Sequence, residues 1–211
     1  MSIGAPIATR KGAMMTTNRE HDFTLVLTGV HELSERVESA LFEAGCDDAT
    51  LSLRLGRIFL TFSREAPSLK NAVISAIGDV RKANIGAGVM RVDSCNLVTQ
   101  TDIARRIDQT RQSVHQYVTG ARGPGNFPPP ACEITEGAPL WLWCEVAHWL
   151  WENGLISEVL LRDSEEVAAI NSVLELQWLR NAAPGMIEDI LRSVNFCQKP
   201  DCPTCHEPAT C

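Results

Sequence analysis

The chain has 211 residues, 45% of them hydrophobic, and a formal net charge of −7. That is room for two cores, and with no apolar run of transmembrane length a membrane-spanning helix is excluded. An acidic chain is as a whole a poor polyanion binder, so any affinity for nucleic acid must be local.

Residues 1–22 are polar, with Met14-Met15 as an internal start, and read as a disordered tail. No apolar segment of the signal-peptide kind follows. The expected location is cytoplasmic, with the eight cysteines reduced.

Residues 23–94 read as a compact α+β domain. Phe23–Thr28 predicts a strand, and His31–Ala44 a helix with Leu33, Val37, Leu41 and Ala44 on one side. Leu51, Leu53 and Leu55 alternate with polar residues, and Gly56-Arg57 turns the chain into Ile58–Phe62, which makes a hairpin. Ser68 caps a second helix bearing Leu69, Val73, Ile77 and Val80, and Val89–Val92 supplies a fourth strand. The order βαββαβ predicts a ferredoxin-like sheet with two helices on one face. No nucleophile motif, phosphate loop or ligand set occurs in it; Gly86-Ala-Gly88 precedes a strand, the wrong context for a dinucleotide fingerprint. His31 and Cys46 are isolated and read as surface or boundary residues. The expected role is pairing with a second copy, with a ligand held between subunits as the alternative.

Residues 97–154 carry the most specific spacing. A helix over Gln100–Ile107 would face its partner with Ile103, Ala104 and Ile107, Ala104 being small enough for two helices to cross closely. Asp108-Gln109 makes the turn, although Asp108 sits where such turns commonly have Gly, and Thr110 caps the next helix. There Val114 and either Tyr117 or Val118 point inward, leaving Arg111, Gln112, His115, Gln116 and Thr119 on the outward stripe. Arg forks onto guanine and Gln onto adenine, so this stripe reads as a base-reading surface. Thr110 would also touch phosphate, while Gln100, Arg106 and Arg122 would hold the backbone in register. Four basic and two acidic residues give the window 99–130 a charge of +2, against −9 for residues 131–211. Gly120–Pro130 cannot continue a helix and reads as a wing. A strand-like Pro139–Trp143 follows, then a short helix from Glu145 that ends at Gly154. Trp141, Trp143 and Trp149 read as core.

The run Thr99-Gln100-x-x-Ile103-Ala104-Arg105-Arg106, with Thr110-Arg111-Gln112-x-Val114, resembles bacterial helix-turn-helix regulators. Phe127-Pro-Pro-Pro, Trp141-x-Trp143, Glu145-Val146 and Trp149-Leu150 resemble the wing and closing helix of MerR-like and AlpA-like excisionase or regulator domains. The resemblance covers about residues 99–151. It implies a winged helix-turn-helix with one helix in the major groove of double-stranded DNA and Arg122 near a phosphate or minor-groove edge.

Residues 155–195 return to helix. Val167, Ile170, Leu174 and Trp178 share one face of Asp163–Arg180, and Pro184-Gly185 separates it from Met186–Val194. Packing against the winged domain is the expected role, with a second dimer surface or a protein partner at these acidic helices as the alternative. In the tail 196–211, Cys197, Cys202, Cys205, His206 and Cys211 form C-x4-C-x2-C-H-x4-C. The spacing is not that of a standard finger, so a flexible thiol-rich terminus is favoured over a zinc site. Cys202-Pro-Thr-Cys205-His206 also fits c-type haem attachment, which the missing signal peptide argues against.

The residues thus point to a non-enzymatic, sequence-specific DNA-binding protein, a dimeric bacterial transcriptional regulator without a required cofactor. A phage or plasmid factor of excisionase or antitoxin type, and a zinc- or thiol-dependent interaction adaptor, are the alternatives.

Overall fold

The computed structural model describes residues 18–132 and 139–194. Four strands, β1 (Arg19–Thr28), β2 (Ala49–Arg54), β3 (Arg57–Ala66) and β4 (Gly88–Val92), form an antiparallel sheet in the order β2-β3-β1-β4. Strict alternation in β3 turns Ile58, Leu60, Phe62, Arg64 and Ala66 to one face. Helices α1 (Glu35–Glu43) and α2 (Leu69–Lys82) bury that face, with Leu41, Val73, Ala76 and Val80 against Leu25, Leu27, Leu60 and Phe62. Ser34 and Ser68 start the two helices, each hydroxyl accepting from the backbone N–H three residues on.

The first strand starts sooner than expected. Arg19–Asp22 are the first four residues of β1, paired with Ala66–Ser63. Their polarity reflects the face they occupy. Glu20 and Asp22 are exposed and both lie 2.7 Å from the Ser63 hydroxyl, while His21 is buried with Nε2 at 3.2 Å from the Ala66 carbonyl. Residues 1–17 lie outside the described residues.

Arg64 is an arginine at a core position. All five of its N–H groups donate: to both oxygens of Asp48 at 2.7 and 2.8 Å, to Asp79 at 2.8 Å, to Ser75 at 3.0 Å and to the Gly45 carbonyl at 2.7 Å. The Asp48 bonds push its affinity for a proton above the ordinary arginine value. Cys46 is in the core beside this cluster rather than at a surface boundary, and burial, then Asp79, pushes its thiol up to about 11. His31 is exposed and bonds the Gly56 carbonyl at 3.2 Å.

The second core gathers β5 (Leu97–Val98), α3 (Gln100–Arg106), α4 (Arg111–Val118), β6 (Trp141–Leu142) and α5 (Trp143–Glu152). β5 pairs antiparallel with β6, and Cys132 bridges to Leu140. Trp143, expected in the strand, instead opens α5. Trp141, Trp143 and Trp149 are buried, and the indole N–H groups of Trp141 and Trp149 donate to the Pro128 and Gly125 carbonyls at 3.1 and 3.0 Å.

Helix α6 (Glu158–Ala182) starts before the expected Asp163, because Ser157 caps it and Leu161 packs into the tryptophan core. Farther along, Val167 and Leu174 pack into the sheet core, so one helix ties the two cores together. Trp178, expected on the same face, is half exposed beside Met90 and Leu97, where α6 runs past the sheet. The two helices do part before Pro184-Gly185, at the non-helical Ala183, but the second starts earlier than expected: Pro184 opens α7 (Pro184–Ser193), since proline fits a first helical turn. Among the described residues no helix is long and apolar enough to cross a membrane.

Candidate nucleic-acid interface

The N-terminus of α3 is closed reciprocally. The Thr99 hydroxyl accepts from the Asp102 N–H at 3.2 Å, and the Asp102 carboxylate accepts from the Thr99 N–H at 3.0 Å and its hydroxyl at 2.7 Å. Those bonds, the hydroxyl's first, hold Asp102 below the ordinary aspartate value of 3.8. Asp102, which local charge alone would count against DNA, is thus occupied as a cap and by an ion pair with Arg105.

A depressed carboxylate stabilises the fold above its unfolded pKa and loses that effect as pH falls through the folded one. Asp102→Asn is therefore expected to cost about 1 kcal/mol at neutral pH. Urea midpoints measured across pH should show the gap from wild type closing below the ordinary value of 3.8. A constant gap would assign the loss to something other than the carboxylate's charge.

Between α3 and α4, Asp108 adopts φ 52°, a left-handed conformation that Asp tolerates because its short side chain can bond locally. Thr110 then caps α4, its hydroxyl accepting from the Ser113 N–H at 3.1 Å. Ala104, Val114 and Tyr117 are buried between the two helices and α5; Val118 is only half-buried, which decides between the two inward candidates. On the opposite side Arg111, Gln112 and His115 are exposed, and with Gln100 from the start of α3 they line a shallow open groove of about 390 Å³. Gln116 is half-buried beside them, and the Thr119 hydroxyl donates to the His115 carbonyl at 2.9 Å.

Arg106 does not join this face. It follows the inward Ile103 by three residues, which on a helix points it toward the same neighbour. Its Nη2 donates to the Cys95 carbonyl at 2.7 Å and its guanidinium lies 4.8 Å from the Trp143 ring centroid. Burial holds its proton affinity below the ordinary arginine value. It therefore braces the β4–β5 connection against α5, in place of the expected phosphate contact.

Arg122 is exposed with its guanidinium 5.5 Å from the Tyr117 ring centroid, near the far end of α4. Gly123, at φ +87°, lies so close to Tyr117 that a Cβ would sit 3.2 Å from the ring. The segment 120–130 does not project as a wing. Phe127 turns it back onto the core, 5.0 Å from the Trp149 ring and 6.4 Å from Trp141. An isolated antiparallel bridge pairs Cys132 with Leu140, and residues 133–138 between them lie outside the described residues.

No family model, curated protein or solved structure matches the chain. Among the described residues no group of three or more His, Cys, Asp or Glu side chains could hold a metal ion. The cysteine and histidine set of the tail, Cys197 to Cys211, lies outside the described residues.

Proposed function

We propose that the chain is a sequence-specific double-stranded DNA-binding protein, a transcriptional regulator, in which α4 enters the major groove. The observation that carries this reading is the convergence of Gln100, Arg111, Gln112 and His115 on one exposed groove at the N-terminal turn of α4. That turn is the part of a recognition helix that reaches base edges. Arg111 and Gln112 would take guanine and adenine bidentately, and His115 and Gln116 the next positions. Thr110 and Gln100 would meet phosphate, and so would Arg122 near the far end of the helix.

The α3–α4 hairpin, with the β5–β6 pairing beside it, supports a helix-turn-helix reading of residues 97–154. The strand order β2-β3-β1-β4 with α1 and α2 on one face supports a ferredoxin-like reading of the first domain. Such regulators bind as dimers, two recognition helices meeting one pseudo-palindromic site.

Salt dependence tests the reading. Fluorescence anisotropy with a genomic duplex pool is expected to give binding that weakens steeply with salt, because phosphate contacts release counterions. Arg122→Ala is expected to flatten the log–log slope by about 1. A flat salt response, or no binding at low salt, would overturn it.

A further inference from the structure

The two edges of the sheet are finished differently. The outer edge of β4 is closed by α6: the Asn171 side chain accepts from the Val92 N–H at 2.8 Å and donates to the Val92 and Ser94 carbonyls at 3.2 and 3.1 Å. The opposite edge is β2, which among the described residues pairs only with β3. Its sequence Ala49-Thr-Leu-Ser-Leu-Arg54 contains no Pro, no Lys and no bulge, three of the devices that keep edge strands apart, and its one charge is the terminal Arg54. Next to it, α1 and β2 leave an open groove of about 540 Å³, lined by Cys46, Ala49 and Leu51 and by Glu38, Ser39, Phe42 and Glu43 of α1. Phe42 on its rim is 64% exposed, Leu53 47%, and Leu55 at the hairpin tip fully so. A bare edge is a row of N–H and C=O groups that another strand satisfies best.

We infer that the occupant of this edge is a second copy of the chain, its β2 antiparallel to this β2 across a two-fold axis. Charge selects the partner and the direction. β2 is preceded by Asp47 and ends on Arg54; both are exposed, and neither forms an ion pair among the described residues. A strand of this length separates them by about 20 Å. That exceeds the Debye length of roughly 8 Å, so a chain cannot neutralise its own pair. The antiparallel two-fold sets each Arg54 at the partner's Asp47 end, whereas strands running the same way would set like charges together. An isologous axis here also covers Phe42 and Leu53, the exposed apolar side chains beside the edge.

This interface deepens the DNA-binding reading, which needs two copies of α4 on one site, but its test contains no DNA. Sedimentation equilibrium of the full chain should give a dimer, twice 23.2 kDa. The exposed-site double variant Phe42→Glu/Leu53→Glu should associate at least about tenfold more weakly. Arg54→Asp and Asp47→Arg should each weaken self-association, and their equimolar mixture should associate again, since only the mixed pair sets unlike charges together at both ends. A wild-type monomer at every concentration, or a dimer indifferent to these changes, overturns the inference. Should a variant lose its native circular dichroism, hydrogen exchange on the wild type decides. Protection that rises with concentration at the β2 amides not bonded to β3 supports the β2 pairing, and protection of those amides independent of concentration overturns it.

Discussion

Arg111→Ala is expected to weaken specific DNA binding by about 1–3 kcal/mol and to relax selection at a single base position. The expectation rests on where α4 begins. Thr110 closes the first turn with its own hydroxyl, so the Arg111 side chain leaves the helix at its N-terminal end, exposed and in the groove shared with Gln100, Gln112 and His115. A bidentate guanidinium contributes discrimination as well as attraction, because a wrong base leaves its buried donors unpaired. Gln112→Ala should act the same way at the neighbouring position. Arg105→Ala is the control: its guanidinium pairs with Asp102 on the exposed side of α3, and its removal should change affinity without changing sequence preference. Equal effects of Arg111→Ala on all sequences would place Arg111 on phosphate instead.

The largest loss of stability is expected from Arg64→Met. The residue is only 9% exposed, and its five donors tie β3 to the α1–β2 turn and to α2. Methionine would fill much of the volume but strand the carboxylates of Asp48 and Asp79, with Lys82 left at 2.7 Å from the latter. Removing one partner from a buried ionic cluster costs about 3–5 kcal/mol. In a chain of this size that corresponds to a fall in Tm of roughly 6–20 °C. The triple variant Arg64→Met/Asp48→Asn/Asp79→Asn should recover part of the loss, because the stranded charges are gone. An Arg64→Met protein within about 0.5 kcal/mol of wild type, the range of ordinary surface changes, would mean the cluster is solvated in practice.

Local chemistry was legible wherever a residue acts on its near neighbours. Ser68 and Thr110 cap the helices they precede, Ala104 is buried in the α3–α4 hairpin, and the alternation of β3 marks its inward face. Long-range pairing was not. Asp48 and Asp79 lie 16 and 15 residues from Arg64 and follow no local spacing that would announce a cluster. The i+3 spacing from Ile103 separates Arg106 from Arg105, but the partner it meets, Trp143, lies far along the chain and is brought close by the β5–β6 pairing. The start of β1 was obscured by its own exposed face, whose Glu20 and Asp22 resemble a solvated tail until Ser63 is seen opposite them. The segment 120–130 has the glycines and prolines of a projecting loop, but Phe127 anchors it between two tryptophans.

Selection of bound duplexes from a random DNA pool, with the full-length chain beside Arg111→Ala and Gln112→Ala, tests the central claim most directly. The expected product is an enriched pseudo-palindrome whose half-sites are separated by about one helical turn or a multiple of it, with single positions relaxed in each variant. No enrichment from a folded protein at low salt would contradict DNA recognition by α4.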